Sequence, residues 1–311
     1  MSILKIGMTA ALLGAVALPA MAQDPDTCST VRYSDPGWSD IAATNGVAAV
    51  VLKALGYTPD IATLSVPVGY EALKNGETDL FLGNWLPAQK PFRDDLDATG
   101  DIQELVQNLE GAKFTLAVNK AGADLGVADF ADLDQHRDAF DGKIFGIEPG
   151  APANQLIQGM IDNDDFGLAD WELVESSEQA MVAQVTRNGD TPTLFLAWAP
   201  HPMNEAIETT YLSGGDAQFG PDFGGATVHT VARNEWVEAC PNVAKLFSQM
   251  VFDVPMENVL MGKILNDGLE AEDAARDYLS ENPDAASAWL EGVTTLDGQP
   301  AQPALEAALN G

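Results

Sequence analysis

Leu80-Phe81-Leu82-Gly83-Asn84-Trp85-Leu86-Pro87 is a short apolar run that ends in a tryptophan and a turn. Leu194-Phe195-Leu196-Ala197-Trp198-Ala199-Pro200 repeats this arrangement later in the chain. A third tryptophan, Trp38, follows the strand-like run 31–34 through a turn that contains Pro36 and Gly37. Loops at the carboxyl ends of strands in an open α/β sheet face the ligand crevice. The three segments therefore predict such a sheet, with tryptophans at its binding edge.

The first 22 residues have the pattern of a cleavable secretory signal. Lys5 supplies positive charge, residues 6–17 are apolar, and Ala20-Met21-Ala22 matches an A-x-A cleavage site. The apolar run is too short to span a bilayer, and no later segment is long and apolar enough. We therefore expect the mature chain to begin near Gln23 and to act in the periplasm.

The chain is strongly acidic, with 47 Asp and Glu residues against 15 Lys and Arg residues and a formal net charge of −32. Nucleic-acid phosphates would be repelled, so nucleic acid is excluded as a partner. An acidic surface is typical of solubility or a salty habitat. It favours the approach of a cation only weakly, because salt screens charges beyond about 10 Å.

The sequence contains two cysteines, Cys28 and Cys240. In an oxidising compartment an isolated pair favours a disulfide over two free thiols. Such a bridge would place the mature N-terminus and the region around residue 240 in one domain.

Strand-like and helical segments alternate along the chain, which predicts an α/β fold. Two series each run strand, helix, strand, helix, strand, and the third strand of each series ends in a tryptophan. The chain then returns to the first series, since Cys240 follows the alternating run 226–232. The prediction is lobe 1 from 24–118 plus 225–311 and lobe 2 from 119–224, with two crossovers as a hinge and the crevice between the lobes. Strands are expected at 30–34, 60–66, 78–83, 114–119, 143–148, 171–175, 193–198 and 226–232, and helices at 41–55, 69–75, 153–161, 178–187, 202–208 and over most of 243–290.

Three indoles at one crevice would form an aromatic cage. Such a cage recognises a methylated onium cation, which has no N–H donors to offer. Trp38, Trp85 and Trp198 are the candidates, because each stands at a strand end beside Pro or Gly. The other three tryptophans lack this context, which favours core or surface positions for them; they are Trp171, Trp236 and Trp289.

Asp40 lies two residues after Trp38 and could pair with a cation or accept a hydrogen bond from a hydroxyl group. The local sequence favours capping of the following helix by Ser39 or Asp40, a role that is compatible with ligand binding. His201 lies just past Trp198 and could contact a ligand, although orientation of its loop is the favoured role.

Signatures of catalysis and of metal binding are missing from the sequence. No GxSxG, P-loop or GxGxxG motif occurs, and three widely spaced histidines do not form a zinc motif. Residues 95–100 resemble the start of an EF-hand loop, but Val106 stands where a bidentate Glu is required, which favours a solvated acidic turn over a weak calcium contact. We expect no metal, no cofactor and no enzymatic activity, a combination that favours a binding protein.

Five segments carry a family pattern: Tyr33-Ser34-Asp35-Pro36-Gly37-Trp38-Ser39-Asp40, Gly83-Asn84-Trp85-Leu86-Pro87, Gly111-Ala112-Lys113-Phe114-Thr115-Leu116-Ala117, Phe145-Gly146-Ile147-Glu148-Pro149-Gly150 and Trp198-Ala199-Pro200-His201-Pro202-Met203-Asn204. With them the chain resembles the periplasmic substrate-binding proteins of ABC importers for glycine betaine and choline, most closely the choline-binding branch. The resemblance implies a type II periplasmic-binding fold whose lobes close like a clam shell. It also implies a small onium ligand, an inner-membrane ABC permease as partner, and a monomeric protein.

The resemblance assigns roles to individual positions. Trp38, Trp85 and Trp198 would surround a trimethylammonium group, and Asp40 would lie near the cation and the choline hydroxyl. Phe114 stands where the choline branch has a tyrosine as the fourth wall, so the aromatic face is kept and the phenol hydrogen bond is lost.

Other positions concern the hydroxyl end of the ligand. The choline branch has an asparagine directly after the Glu-Pro-Gly turn, where this chain has Ala151, with Asn154 three residues later. The family's bridge between an early and a late cysteine fits Cys28 and Cys240. Choline is the expected ligand because Asp40 is kept.

A zwitterion such as glycine betaine or dimethylsulfoniopropionate is the alternative ligand, because selectivity arises from buried polar contacts that differ here. Its carboxylate would be repelled by Asp40 and would need donors from backbone amides, His201 or Asn154. Two other classes are an exported enzyme acting on such compounds, for which no nucleophile or metal is found, and a sensory module with the same fold.

Overall fold

Apolar runs of the sequence form the central strands of a mixed sheet in the computed structural model, which describes residues 23–311. The strands of this part of the chain are β1 Thr30–Asp35, β2 Thr58–Thr63, β3 Leu80–Leu86, β4 Ile102–Asn119, β5 Lys143–Phe145, β6 Glu172–Val174, β7 Leu194–Ala199, β8 Thr209–Tyr211 and β9 Gly225–Arg233. Their order across the sheet is β2-β1-β3-β9-β4-β7-β5-β6, and β8 pairs with β4.

Helices connect the strands and follow the last strand. The described α-helices are α1 Ser39–Ala54, α2 Val66–Lys74, α3 Lys90–Thr99, α4 Lys120–Asp124, α5 Leu133–His136, α6 Pro152–Asp162, α7 Glu178–Asn188, α8 Met203–Ala206, α9 Asp216–Phe219, α10 Pro221–Gly224, α11 Asn234–Ala239, α12 Pro241–Gln249, α13 Val254–Leu265, α14 Ala271–Glu281 and α15 Ala301–Asn310. Helix α1 is almost completely buried, because small residues let its neighbours approach. A Cβ atom at Gly46 would lie 2.5 Å from the carbonyl oxygen of Ala271, so α14 can pack there only against glycine.

Strand β4 is 18 residues long and connects two halves of the sheet. Its part from Ile102 to Lys113 pairs with β9, and its part from Lys113 to Val118 pairs with β7. Lys113 therefore lies opposite both Gly225 of β9 and Ala199 of β7. We call β2-β1-β3-β9 the first half-sheet and β7-β5-β6 the second half-sheet.

Two stretches differ from the expected elements. Residues 102–113, expected as a polar connection, form the first part of β4, where register shifts against β9 and mixed exposure hide the alternation of a strand. The EF-hand-like stretch 95–100 is not a turn, because residues 95–99 complete α3 and Gly100, with φ of 73°, ends it.

The predicted secretory signal, residues 1–22, lies outside the described residues. Among residues 23–311, no helix has the length and apolar character needed to cross a membrane. The same residues contain no cluster of three or more His, Cys, Asp or Glu side chains placed to hold a metal ion.

The predicted disulfide between Cys28 and Cys240 is present, with the Cα atoms 5.7 Å apart and both side chains buried. It fastens the segment before β1 to the junction of α11 and α12. Asp24 supports the same junction, because its carboxylate accepts hydrogen bonds from the backbone N–H groups of Asn242 and Val243 at 2.8 and 2.9 Å. Residues 24–28 are therefore tied to the helices that follow β9.

Replacing Cys28 and Cys240 together by Ser is expected to lower the free energy of unfolding by about 2–5 kcal/mol. The bridge joins residues 212 positions apart, so its loss frees a long loop in the unfolded chain. Urea denaturation of the oxidised wild-type protein and of the variant measures the difference. The reduced wild-type protein is the control and should match the variant; equal stability of all three would contradict the prediction.

Candidate functional site

Residues from both half-sheets and their connections line a cavity of about 50 Å³. This volume is several times the roughly 10–15 Å³ that one water molecule requires, so the cavity admits a small organic group. The three candidate tryptophans, Asp40 and Phe114 all contribute to its wall. The lining residues are Trp38, Asp40, Trp85, Ala88, Gln89, Phe114, Ile147, Pro152, Ala153, Leu196 and Trp198.

Strand register brings the aromatic side chains together. Phe114 on β4 lies directly opposite Trp198 on β7. Trp85, near the end of β3, has its ring centre 6.3 Å from that of Phe114, with the ring planes perpendicular. Trp38 comes from the turn after β1, and all four side chains are only 4–8% exposed. The remaining tryptophans, Trp171, Trp236 and Trp289, are buried outside this wall.

Asp40 is 2% exposed and accepts a hydrogen bond from the indole Nε1 of Trp85 at 2.9 Å. Burial and then the nearby charge of Glu178 raise the pKa of Asp40 to about 7, against the lowering effect of the Trp85 hydrogen bond. The sequence predicted Ser39 or Asp40 as the N-cap of α1, but this position is occupied by Trp38. The carboxyl group of Asp40 belongs instead to the cavity wall.

Two further carboxyl groups interact with residues of this wall, one through a hydrogen bond and one through the charge of Asp40, and neither stands out in the sequence as a site residue. Glu148, in the Glu-Pro-Gly turn, accepts a hydrogen bond from the indole N–H of Trp38, and burial raises its pKa. Glu257 on α13 is 2% exposed, and its Oε2 atom is buried without a hydrogen-bond partner among the described residues. Burial and the charge of Asp40 raise the pKa of Glu257 well above its ordinary value.

Glu178, the first residue of α7, is a third carboxylate that the sequence does not mark as a site residue, and it is 1% exposed. Its Oε2 accepts a hydrogen bond from the backbone N–H of Ser39 at 3.0 Å, and its Oε1 accepts one from the Ser39 hydroxyl. Oε1 also lies 3.1 Å from Nε2 of His201. Because the backbone N–H of Met203 donates to Nδ1 of His201, the neutral ring carries its proton on Nε2, where it can donate to Glu178.

Three predicted site residues do not line the cavity: Asn154, Ala151 and His201. The side-chain nitrogen of Asn154 donates to the carbonyl of Ile147 at 2.9 Å, so this amide holds the Glu-Pro-Gly turn. Ala151 is buried at the N-cap of α6. His201 packs edge-on against Trp198, with ring centres 4.9 Å apart, and supports the wall from behind.

The cavity combines aromatic faces with buried carboxyl groups that have no Lys or Arg partner in the described part of the chain. No Lys or Arg is among the lining residues, and within residues 23–311 none of the four carboxylates pairs with one. The only other polar lining side chain, Gln89, already bonds the Tyr70 hydroxyl and the Gly83 carbonyl. Such a wall suits a cation without N–H donors.

The family model described as the substrate-binding domain of ABC-type glycine betaine transport systems matches residues 29–281. The chain belongs to this family. The family consists of substrate-binding proteins of ABC transporters, so the prediction that the chain is not an enzyme is confirmed. Proteins of this family act outside the cytoplasm.

Two solved structures and one relative are similar to this member of the family. An ABC-transporter choline-binding protein in complex with choline is 50% identical, with a TM-score of 0.90 over 92% of this chain and 100% of that chain. An ABC-transporter choline-binding protein in an unliganded semi-closed conformation is 49% identical, with a TM-score of 0.85 and the same coverage. The glycine betaine/carnitine transport binding protein GbuC of Listeria monocytogenes serotype 1/2a (strain 10403S) is 25% identical over 205 residues, 65% of this chain and 63% of that protein. The predicted α/β periplasmic-binding fold and the resemblance to the choline-binding branch are confirmed.

Replacing Asp40 by Asn is expected to stabilise the ligand-free protein by an amount that grows as the pH rises from about 4 to about 7. The pKa of Asp40 is about 7 in the folded state against 3.8 ordinarily, so in this window the folded state holds a proton that the unfolded state has lost. Wild-type stability therefore falls as the pH rises, by at most about 1.4 kcal/mol per pH unit from this group.

The amide of the Asp40→Asn variant does not titrate and can still accept the hydrogen bond from Trp85. Urea denaturation of both proteins at several pH values across the window measures the difference in unfolding free energy. A difference that is constant with pH would contradict the prediction.

Proposed function

We propose that this protein is the periplasmic solute-binding protein of an ABC importer and captures a quaternary ammonium compound, with choline as the first ligand. The observation that carries the proposal is the cavity itself, in which four aromatic rings adjoin buried carboxyl groups without Lys or Arg partners among the described residues. The 50% identical choline-binding protein supports the same ligand class.

The cation would be held by charge and by the ring faces rather than by hydrogen bonds. A trimethylammonium group has no N–H, so it loses few hydrogen bonds when it leaves water for an aromatic wall. Each well-placed, desolvated cation–π contact contributes about 2 kcal/mol. Asp40 would offset the positive charge and could accept the hydroxyl hydrogen bond of choline.

Closure of two lobes would complete the cage. We propose lobe 1 as 24–118 plus 225–311 and lobe 2 as 119–224, with the hinge at β4 and at the entry to β9. This division is supported by the change of partner of β4 at Lys113 and by the start of β9 at Gly225.

Trp38 and Trp85 then belong to lobe 1 and Trp198 to lobe 2. The higher TM-score to the choline complex than to the unliganded semi-closed structure supports an arrangement nearer to the ligand-bound one.

The partner would be an inner-membrane ABC permease, which the closed, ligand-bound form reaches as a monomer. Membership of a family of ABC-type transport systems supports this partner. The signal predicted in residues 1–22 would deliver the chain to the periplasm.

Choline is expected to bind at least about 100-fold more tightly than glycine betaine, because a buried carboxylate without a donor loses several kcal/mol of hydration. The betaine carboxylate would face Asp40 and find no Lys or Arg among the lining residues. Titration calorimetry with choline, glycine betaine and dimethylsulfoniopropionate measures the ratio. Tighter binding of either zwitterion than of choline would overturn the choice of choline as the ligand. If none of the three compounds binds, the proposal that the aromatic residues form a cage for an onium cation is overturned.

Trp85→Ala and Trp198→Ala are each expected to weaken choline binding by roughly 30-fold or more, the equivalent of one desolvated cation–π contact. Trp289→Ala is the matched control, because Trp289 is as deeply buried, at 3% exposure, but packs against Phe252 away from the cavity. Titration calorimetry measures binding, and circular dichroism of each ligand-free variant verifies folding. Equal losses in all three variants would refute the site assignment.

A further inference from the structure

The carboxylate of Glu178 connects the two sides of the cavity. Glu178 and Ser39 are 139 residues apart, in proposed lobes 2 and 1, and both are almost fully buried. Ser39 stands between Trp38 and Asp40, so the two hydrogen bonds from Ser39 to Glu178 fix the segment that carries both of these lining residues. No other side chain among the described residues bonds the backbone N–H of Ser39.

The same carboxylate also reaches the opposite wall of the cage. Its Oε1 atom receives the Nε2–H of His201, whose ring packs edge-on against Trp198. Both His201 nitrogens are engaged, since Nδ1 accepts the backbone N–H of Met203 at 2.9 Å. One carboxylate therefore links the Trp38–Asp40 segment of lobe 1 to the support of Trp198 in lobe 2.

We propose that Glu178 is a positioning residue that locks lobe closure, acting through Ser39 and His201 and not by touching the ligand. This inference rests on the proposed function, because it requires that the lobes open and close around a cation. Glu178 is not among the lining residues of the cavity, which separates its role from that of Asp40. When the lobes part, its bonds to Ser39 break and water solvates the carboxylate again.

The charge of Glu178 makes the lock responsive to the ligand. Glu178 bonds Ser39, which directly precedes Asp40, and Glu148 bonds Trp38 on the other side of Ser39. Closing an empty cavity therefore brings three acidic side chains together, and their repulsion opposes closure. A cation in the cage offsets this repulsion, after which the hydrogen bonds to Ser39 favour the closed form. Closure is thereby coupled to the charge of the ligand.

The lock acts after the ligand has entered, so it controls release more than encounter. Glu178→Ala is expected to raise the dissociation rate of choline about 10- to 100-fold, the range of two hydrogen bonds of ordinary net strength, and to change the association rate less than about threefold. Ser39→Ala removes one of the two bonds and should raise the dissociation rate about fivefold. Stopped-flow tryptophan fluorescence measures both rates.

A matched control is Glu175→Ala, since Glu175 lies in the connection between β6 and α7, three residues before Glu178, and bonds Asn154 within proposed lobe 2. Its rates should equal those of the wild type. The double variant Glu178→Ala with Ser39→Ala should release choline no faster than Glu178→Ala alone, because both changes break the same contact between Glu178 and Ser39. Small-angle scattering with saturating choline should show the Glu178→Ala protein less compact than the wild type, while the ligand-free melting temperatures agree.

Each outcome separates the two proposals. If the wild-type protein binds none of the onium compounds, the proposed function fails, whatever the variants do. If the wild type binds choline and Glu178→Ala releases it at the wild-type rate, the lock is refuted and the proposed function stands. Additive effects of Glu178→Ala and Ser39→Ala would also refute it, since Glu178 would then not act through Ser39.

Discussion

The burial of carboxyl groups around an apolar cavity, with no Lys or Arg to pair with them, is the constraint on which the site depends. A buried charge without a partner is costly, and proteins usually pair it or neutralise it. Here two of the groups, Asp40 and Glu178, sit in the first turns of α1 and α7, where the helix dipoles favour negative charge. The remaining imbalance is relieved by a cation that comes from outside the chain.

The indoles contribute to this balance through two different parts of the ring. Trp85 donates its N–H to Asp40, and Trp38 donates its N–H to Glu148. The polar edge of each ring is thereby bound to a carboxylate, and its orientation is fixed. A tryptophan is suited to this double use because its N–H edge and its electron-rich face point in different directions.

The sequence was informative about the rings and much less so about the groups that hold them. Trp38, Trp85 and Trp198 could be predicted to share a site because strand ends of an α/β sheet meet at one edge. Asp40 was a candidate from its place two residues after Trp38, and the family resemblance added Phe114. Glu148, Glu178 and Glu257 could not be predicted as part of the site, because a single carboxylate among 47 acidic residues carries no local sign that it will be buried. Asn154 and His201 were candidate ligand contacts, with orientation of its loop as the favoured role of His201. Their hydrogen bonds to the backbone depend on turns that a linear pattern does not show.

Strand β4 restricts how the length of the chain at such a site can change during evolution. Lys113 pairs with strands of both half-sheets, and Phe114 follows it directly on the uninterrupted ladder with β7. Side chains alternate along a strand, so an insertion or deletion of one residue there would turn Phe114 away from the cage and shift the pairing on both sides. The lineage can therefore alter its ligand range at this wall by substitution, but hardly by changes of length, and gene duplicates with new ligands should keep the spacing of this strand while varying its residues.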